Sequence, residues 1–597
     1  MSPLNIFPTS PTEWQNQNSH SEIRPDATSE CSGSTISRTQ DAATSLQDGI
    51  HSSLAIELVN LFFEKIQPWL PMLHRPRFHQ KYDAKLKAKG SVMKGLTNGE
   101  ALLLYGMFAL SARFSNNSVF DGIPDSDKGN VFAECAIEIY IQSHLERQPL
   151  LLQLQGYLVL ANHQHATGPT TLGRVLVGQC LQVAYALGLN DMDHPSRTTR
   201  GKAVDSVGKE EMRRAWWLLW ELDTFASCAS GKPFMIDRRR ISVKLPVSDE
   251  AWFAGAEIES TQLTLGPNQS WKCLEGSLNQ DERAWSLAAI HLMATALDRL
   301  QQPRPLNMEE KLTIQNEIAC FKLALPITAN LDFKGSTSTP TTVARRNWVI
   351  AIHLILMTTS FMIDGVAASE NGERGDPKVI MAAAVRQRAA TLSAIIRVWD
   401  PSSIVLLQPF LMCAMIPALA MHEDTDSLQP LISSSNEMAV LVLKRFRSKW
   451  KLGDIMLEIA RLRKHPSTLK ATQDQLLQRY KIFFRKSRTA NSSVKSSSVE
   501  VEDRREAQAD ITHMLSTPAS LQQAQQEIDA HQEADTTIRL DPFELDWTGW
   551  RDLALDPVGF PAIQSDVYDI DFNPGPFYLE GSGFQHNIED DCTLDAI

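Results

Sequence analysis

Arg213 to Asp237 read RRAWWLLWELDTFASCASGKPFMID, and the order of those residues sets the expected fold. Ala215, Leu218, Leu219, Leu222, Ala226 and Ala229 recur at the three-and-four spacing that lays a stripe along one helix face. Trp216, Trp220 and Asp223 lie around a neighbouring face, so the helix is apolar well beyond one stripe. Such a helix is buried between others rather than resting on a surface. Glu210 and Glu211 suit its positive N-terminal end, and Gly231 with Pro233 just beyond reads as a C-terminal stop. The Gly-Lys-Pro is no phosphate loop, because proline stands where that loop needs a hydroxyl residue. Gly168 and Gly173 keep a phosphate loop's glycine step, but Arg174 and Val175 replace its lysine and hydroxyl residue.

Helical signals continue on both sides. Leu58, Val59, Phe62 and Ile66 form an apolar stripe that ends at Pro68, and Pro68, Pro71 and Pro76 forbid a continuous helix through QPWLPMLHRPRFHQKY. ALLLYGMFALSARFS is apolar on nearly every side. TLGRVLVGQCLQVAYALGLND carries Leu172, Val175, Leu176, Val183, Ala184 and Leu187 on one face and stops at Gly188. ERAWSLAAIHLMATALDRL, RRNWVIAIHLILMTTSFMI, VIMAAAVRQRAATLSAIIRVW and VLLQPFLMCAMIPALAMH predict further helices. Strand-like alternation is almost absent and no fixed-period repeat stands out.

The expected fold class is therefore all-α: a multi-helical domain over residues 51–485, preceded by a disordered, Ser/Thr-rich segment over 1–50. A polar linker with a short helical stretch, SLQQAQQEIDAHQ, is expected over 486–534, and an acidic, aromatic, largely disordered tail over 535–597. The net charge of −12 hides an asymmetry. From Val501 on, 21 acidic and 4 basic residues give −17, which leaves the rest of the chain near +5. An acidic tail on a mildly basic body is the expected arrangement.

The 597 residues hold 43% apolar side chains, ample for a large core, yet no uninterrupted apolar run approaches the ~18–20 residues that cross a bilayer. MSPLNIFPTSPTEWQ lacks the apolar centre of a signal peptide, so a soluble intracellular protein without membrane contact is expected. Eight cysteines at positions 31, 135, 180, 228, 273, 320, 413 and 592 form no C-x-x-C pair, and free, mostly buried thiols are expected rather than a disulfide framework or a zinc site. His163 and His165 have no third ligand at metal spacing and read as polar loop residues.

Three segments together resemble the central regulatory domain of fungal zinc-cluster transcription factors. The quoted stretch supplies Arg213, Arg214, Trp216, Trp217, Asp223, Gly231, Lys232, Pro233, Ile236 and Asp237, closed by Leu245 and Pro246. PWLPMLHRPRF is similar to the family's entry element, and AYALGLND to its A-x-x-L-G-L segment; the likeness runs over roughly residues 50–460. It implies a nuclear transcriptional regulator of a metabolic or secondary-metabolite pathway, with a helical domain gating an activator and responding to a small-molecule effector in its core. Family members carry six N-terminal cysteines that bind two zinc ions and present a helix to the DNA major groove. Here Cys31 is the only cysteine before Cys135, so no zinc or other cofactor is assigned to these residues. Zinc would enter only with a cysteine cluster lost from the gene model's start. DNA would then be contacted directly; otherwise it is reached through a DNA-binding partner, with the chain as co-regulator, as a homo- or heterodimer.

In DPFELDWTGWRDLALDP, Phe543, Trp547 and Trp550 stand at i, i+4 and i+7 among acids, the pattern of a segment that folds as a helix into a coactivator's apolar groove. KRFRSKWK from Lys444, RLRK from Arg461 and RKSR from Arg485 read as solvated helix faces or as import signals. No Ser-centred elbow, H-E-x-x-H or dinucleotide fingerprint occurs, so no catalytic residue is assigned; an all-helical enzyme is the remote alternative. Trp216, Trp217 and Trp220 are expected to pack, with Arg213 and Asp223 as a structural ion pair.

Overall fold

The computed structural model describes residues 50–480 except 89–91, 143–149, 169, 196–204, 265–268, 305, 334–339, 365–376, 417–428 and 465–469. These belong to the first of two units, 1–499; the second, 500–597, lies outside the described residues, as do residues 1–49 of the expected N-terminal segment 1–50, the RKSR run, the linker, and Phe543, Trp547 and Trp550; Ile50, the last residue of that expected segment, is instead buried in the core.

Thr97 shows how the sequence punctuates its helices. Its hydroxyl accepts from the Glu100 amide while the Glu100 carboxylate accepts from the Thr97 amide, a reciprocal cap at the start of one buried helix. In chain order the helices are α1 (Ser52–Leu61), α2 (Arg75–Leu86), α3 (Asn98–Ser111), α4 (Asn130–Gln142), α5 (Leu151–Thr167), α6 (Thr171–Ala186), α7 (Ser206–Ser230) and α8 (Asp249–Phe253). They continue as α9 (Glu282–Gln301), α10 (Met308–Ala324), α11 (Pro340–Asp364), α12 (Pro377–Arg397), α13 (Gln429–Arg447), α14 (Leu452–Lys464) and α15 (Ala471–Arg479). Among the described residues no strand forms; a lone antiparallel bridge joins Lys244 and Gln262. The fold is all-α.

α3 packs on α5 at short range because each presents a glycine to the other. A Cβ on Gly156 would stand 2.9 Å from Leu102 Cγ, and one on Gly106 would stand 3.0 Å from Val159. α7 touches α5, α6 and α9, and α9 lies along α11, so one continuous apolar core runs from Ile50 to Tyr480. By length and composition one helix among the described residues, over Thr342–Ile363, could cross a membrane, but 83% of its apolar window is buried in that core.

Four expectations change. The helix expected from VLLQPFLMC is instead two 3₁₀ stretches, Ile404–Leu406 and Pro409–Met415, because Pro409 has no amide hydrogen to continue an α-ladder. His163 and His165 lie inside α5 and are buried, not in a loop; burial pushes their pKa values down to about 3 and about 4. Helix α7 starts a turn before Glu210, capped by Asp205, whose carboxylate accepts from the Gly208 amide. Val175 points outward, 53% exposed, while its expected stripe partners Leu176, Val183 and Ala184 are buried.

Candidate functional site

α7 carries the sequence signature, and it is the helix around which the polar groups of the interior gather. Trp216, Trp217 and Trp220 are all buried. Trp217 and Trp220 meet edge to face, 5.4 Å between ring centroids, and the Trp217 indole nitrogen donates to the Lys244 carbonyl at 2.8 Å. At the helix end Gly231 adopts φ +62°, the left-handed conformation that closes a helix without a Cβ clash. The chain then turns back along α7, and the Pro233 carbonyl accepts from Ser227 Oγ at 3.2 Å.

Asp223 holds that return segment. Its two carboxylate oxygens accept from the amides of Met235 and Ile236 at 3.0 and 3.1 Å. Burial raises its pKa, and those two amides, with Arg238, draw it back down. Arg238 stacks over Phe234 and Trp220, 3.9 and 4.5 Å from the ring centroids, and burial lowers its pKa to about 10. Asp237 sits at the rim, where Arg239 forks onto it.

Arg213 does not pair with Asp223. Ten residues along a helix span about 15 Å, beyond the reach of either side chain. Arg213 instead forks onto Asp193, at 2.6 and 2.8 Å, and Asp193 also accepts from the Lys244 amide at 2.8 Å. Asp193 stands two residues beyond the end of the AYALGLND segment, after Met192.

Arg214 is buried and fully engaged. It donates to Glu210 at 3.0 Å, to the Pro71 carbonyl at 3.3 Å, to the Val247 carbonyl at 2.5 Å and to Asp249. Glu210 accepts in turn from the Val247 amide at 2.9 Å. The guanidinium lies over the Trp252 ring, whose nitrogen donates to the Val207 carbonyl at 3.0 Å. His74 closes the corner: its Nδ1 accepts from the Arg77 amide, which leaves Nε2–H to donate to the Trp252 carbonyl at 3.2 Å. Burial lowers the His74 pKa, in keeping with a neutral ring.

The three signature segments therefore meet on one helix: the entry run through Pro71 and His74, the second through Tyr185, whose ring stands 6.0 Å from that of Trp216, and its near neighbour Asp193, the closing Leu245–Pro246 through its neighbours Lys244 and Val247. The site is a frame that fixes backbone to backbone. Residues the sequence did not single out complete it, Asp193, Asp249 and Trp252, together with Glu210, expected only to suit the helix's N-terminal end. Two more, Glu221 and Arg283, add buried charge beside it. Burial raises the Glu221 pKa to about 7 against the attraction of Arg283, and neither Glu221 oxygen has a hydrogen-bond partner among the described residues. Among the described residues no group of three or more His, Cys, Asp or Glu side chains is placed to hold a metal ion.

The basic run from Lys444 is tied down at its far end. Lys449 donates to the Arg113 carbonyl and to Asp125 at 2.9 and 2.7 Å, Lys451 pairs with Asp127, and Arg113 stacks on Trp450 at 4.1 Å.

Residues 59–298, which hold the whole frame, match the model of the fungal specific transcription factor domain. The chain carries that domain. Curated relatives agree: Transcription factor AN6788 of Emericella nidulans is 28% identical over 196 residues, 33% of this chain and 28% of that protein. The Zn(2)-C6 fungal-type transcription factor FTF1a of Fusarium oxysporum f. sp. lycopersici is 27% identical over 198 residues, 32% of this chain and 17% of that one. The agnestins biosynthesis cluster transcription factor AgnL11 of Paecilomyces divaricatus is 30% identical over 155 residues, 24% of this chain and 23% of that one. The matches thus span less than a third of these relatives' own length. Among solved structures, the K. lactis CBF3 core aligns with 85% of this chain and 95% of its own, at 13% identity and a TM-score of 0.39.

Proposed function

We propose that the protein is a nuclear regulator of transcription that controls a metabolic or secondary-metabolite pathway in a fungus, its helical domain gating the acidic tail as an activation segment. The observation that carries this reading is the convergence of the three signature segments on α7, within the residues that match the fungal specific transcription factor domain. A relative named for a biosynthesis cluster supports the choice of pathway class. The tail supplies aromatic anchors Phe543, Trp547 and Trp550 among acids, chemistry suited to a coactivator groove.

The test is a reporter driven by the full chain fused to a heterologous DNA-binding domain. Deleting residues 535–597 should abolish output, and deleting 51–485 should raise it. Output unchanged by loss of the tail refutes the activation role.

How the protein reaches DNA is a separate matter. These 597 residues contain no run of six closely spaced cysteines, so the contact comes either from an upstream-encoded zinc cluster or from a DNA-binding partner that this chain serves as co-regulator. Genome-wide chromatin occupancy of the tagged protein, mapped beside the sequenced 5′ end of its transcript, separates the two. Absence from chromatin altogether would end the transcriptional reading.

A further inference from the structure

Five of the twelve large apolar side chains exposed among the described residues fall between Met308 and Phe333, on α10 and the turns just after it. The exposure is concentrated there, whereas scattered single residues would need no explanation. α10 has two apolar faces. Ile314, Ile318 and Phe321 turn inward, Phe321 meeting Trp285 edge to face at 5.7 Å between centroids, and Glu317 on the same side accepts from Ser270 Oγ at 3.1 Å. At about 100° per residue, Met308, Leu312, Ala319 and Leu323 fall in one narrow stripe on the opposite side of the helix. All four are exposed, Leu323 by 87%.

A helix needs one apolar stripe to pack on its own domain, and a second on the far side is surface waiting for a cover. From Leu312 to Leu323 the stripe runs for three turns, about 16 Å, which suits another helix better than a small molecule. Charge decides what kind of helix. Lys311 and Lys322 share one flank of the stripe, also three turns apart, with neutral Gln315 between them on that flank. Thr313, Asn316 and Cys320 make the other flank neutral but for Glu309 at its start. Lys322 has no ion-pair partner among the described residues, and desolvation lowers its pKa, so an ammonium is held at the edge of the stripe without a counter-charge.

We propose that the outer face of α10 is a docking surface for an amphipathic helix of a partner protein, one that presents leucine-like side chains to the stripe and carboxylates to the flank of Lys311 and Lys322. The apolar side chains supply the affinity, because each exposed leucine leaves water on docking. The carboxylates supply orientation. A partner helix with acids along one flank meets the two lysines in only one of the two directions in which it can lie along the stripe. A second copy of α10 fits this requirement poorly, since it brings two flanking lysines and a single flanking acid.

The test is fluorescence anisotropy with the purified full-length chain and a labelled peptide of about three heptads, leucine at a and d and glutamate at e and g, beside a counterpart with lysine at e and g. The glutamate peptide should bind saturably and several-fold more tightly than the lysine peptide. Leu312→Ser combined with Leu323→Ser should weaken it about tenfold, and because both side chains are exposed the unfolding temperature should stay near that of the wild type. Lys322→Glu should weaken the glutamate peptide about threefold and strengthen the lysine peptide as much. No binding of the glutamate peptide, equal affinity for the two peptides, or binding that ignores loss of both leucines overturns the surface. So does a full-length chain that sediments as a dimer in the wild type and as a monomer in the double variant, because a second copy then covers the stripe.

Discussion

Arg214 sits over the Trp252 ring, its guanidinium carbon 4.1 Å from the ring centroid, while its nitrogens reach Glu210, Asp249 and the carbonyls of Pro71 and Val247. Planarity is what lets one side chain stack and fork at once, so lysine is not a substitute. Arg214→Lys should destabilise the domain by about 3 kcal/mol, the cost of leaving Glu210 and two buried carbonyls short of donors. Urea denaturation followed by tryptophan fluorescence measures it. A loss below about 1 kcal/mol would show that the stacked, forked geometry does not matter.

The three tryptophans of α7 are equally buried but not equally bonded. Trp217 donates to the Lys244 carbonyl, whereas the indole nitrogens of Trp216 and Trp220 have no partner among the described residues. Trp217→Ala should cost roughly 3–5 kcal/mol, enough to unfold a marginal domain. The sharper comparison is with phenylalanine, which keeps the ring and deletes the N–H. Trp217→Phe should cost about 1 kcal/mol more than Trp216→Phe, because only the first leaves the half-buried Lys244 carbonyl without its donor. Equal losses in the two variants would contradict the assigned bond.

How much of this could be read beforehand follows from distance along the chain. α7 was legible because its signals are local: three-and-four spacing, then Gly231 and Pro233. The partners of its arginines were not, since Pro71 stands 143 residues from Arg214 and Asp193 stands 20 from Arg213, and no spacing rule encodes either contact. Asp223 stands out in the sequence, but spacing does not reveal its partners: its carboxylate serves amides beyond the helix stop, which only the turn at Gly231 brings back. His163 and His165 misled because two polar rings two apart suggest a loop, although the apolar LVLA run before them continues into the helix. Glu221, in the middle of the apolar run of α7, carried no signal that both its oxygens would lack partners among the described residues.

Gly231 allows conformation to be separated from packing. Its φ is +62°, and a Cβ built there would meet nothing within 4 Å. Any loss in Gly231→Ala therefore comes from the left-handed backbone alone and should be about 1–2 kcal/mol. Gly231→Asn should lose less, since asparagine tolerates that region better than alanine does. Thermal unfolding of the pair checks the order, and an alanine variant as stable as the wild type would mean that the helix ends differently in solution.

Glu221 makes the domain's stability depend on pH. Its ordinary pKa of 4.5 is raised to about 7, chiefly by burial, and the attraction of Arg283 offsets only part of that cost. In the unfolded chain the carboxyl loses its proton near pH 4.5, while in the folded chain it keeps it until about pH 7. The folded state thus binds the extra proton between those values, and stability falls as pH rises through the window. Glutamine is neutral throughout, so the advantage of Glu221→Gln over the wild type should be near zero below pH 4.5, grow across the window and level off above pH 7 at on the order of 3 kcal/mol. Asp281, also held up to about 7 by burial, is present in both proteins and cancels from the difference. Urea midpoints measured for the pair at half-unit steps from pH 4.5 to 8 give the curve directly. A flat difference would place Glu221 in contact with solvent or with a donor; a difference that grows in the opposite direction would mean that Arg283 outweighs burial and holds the carboxylate charged.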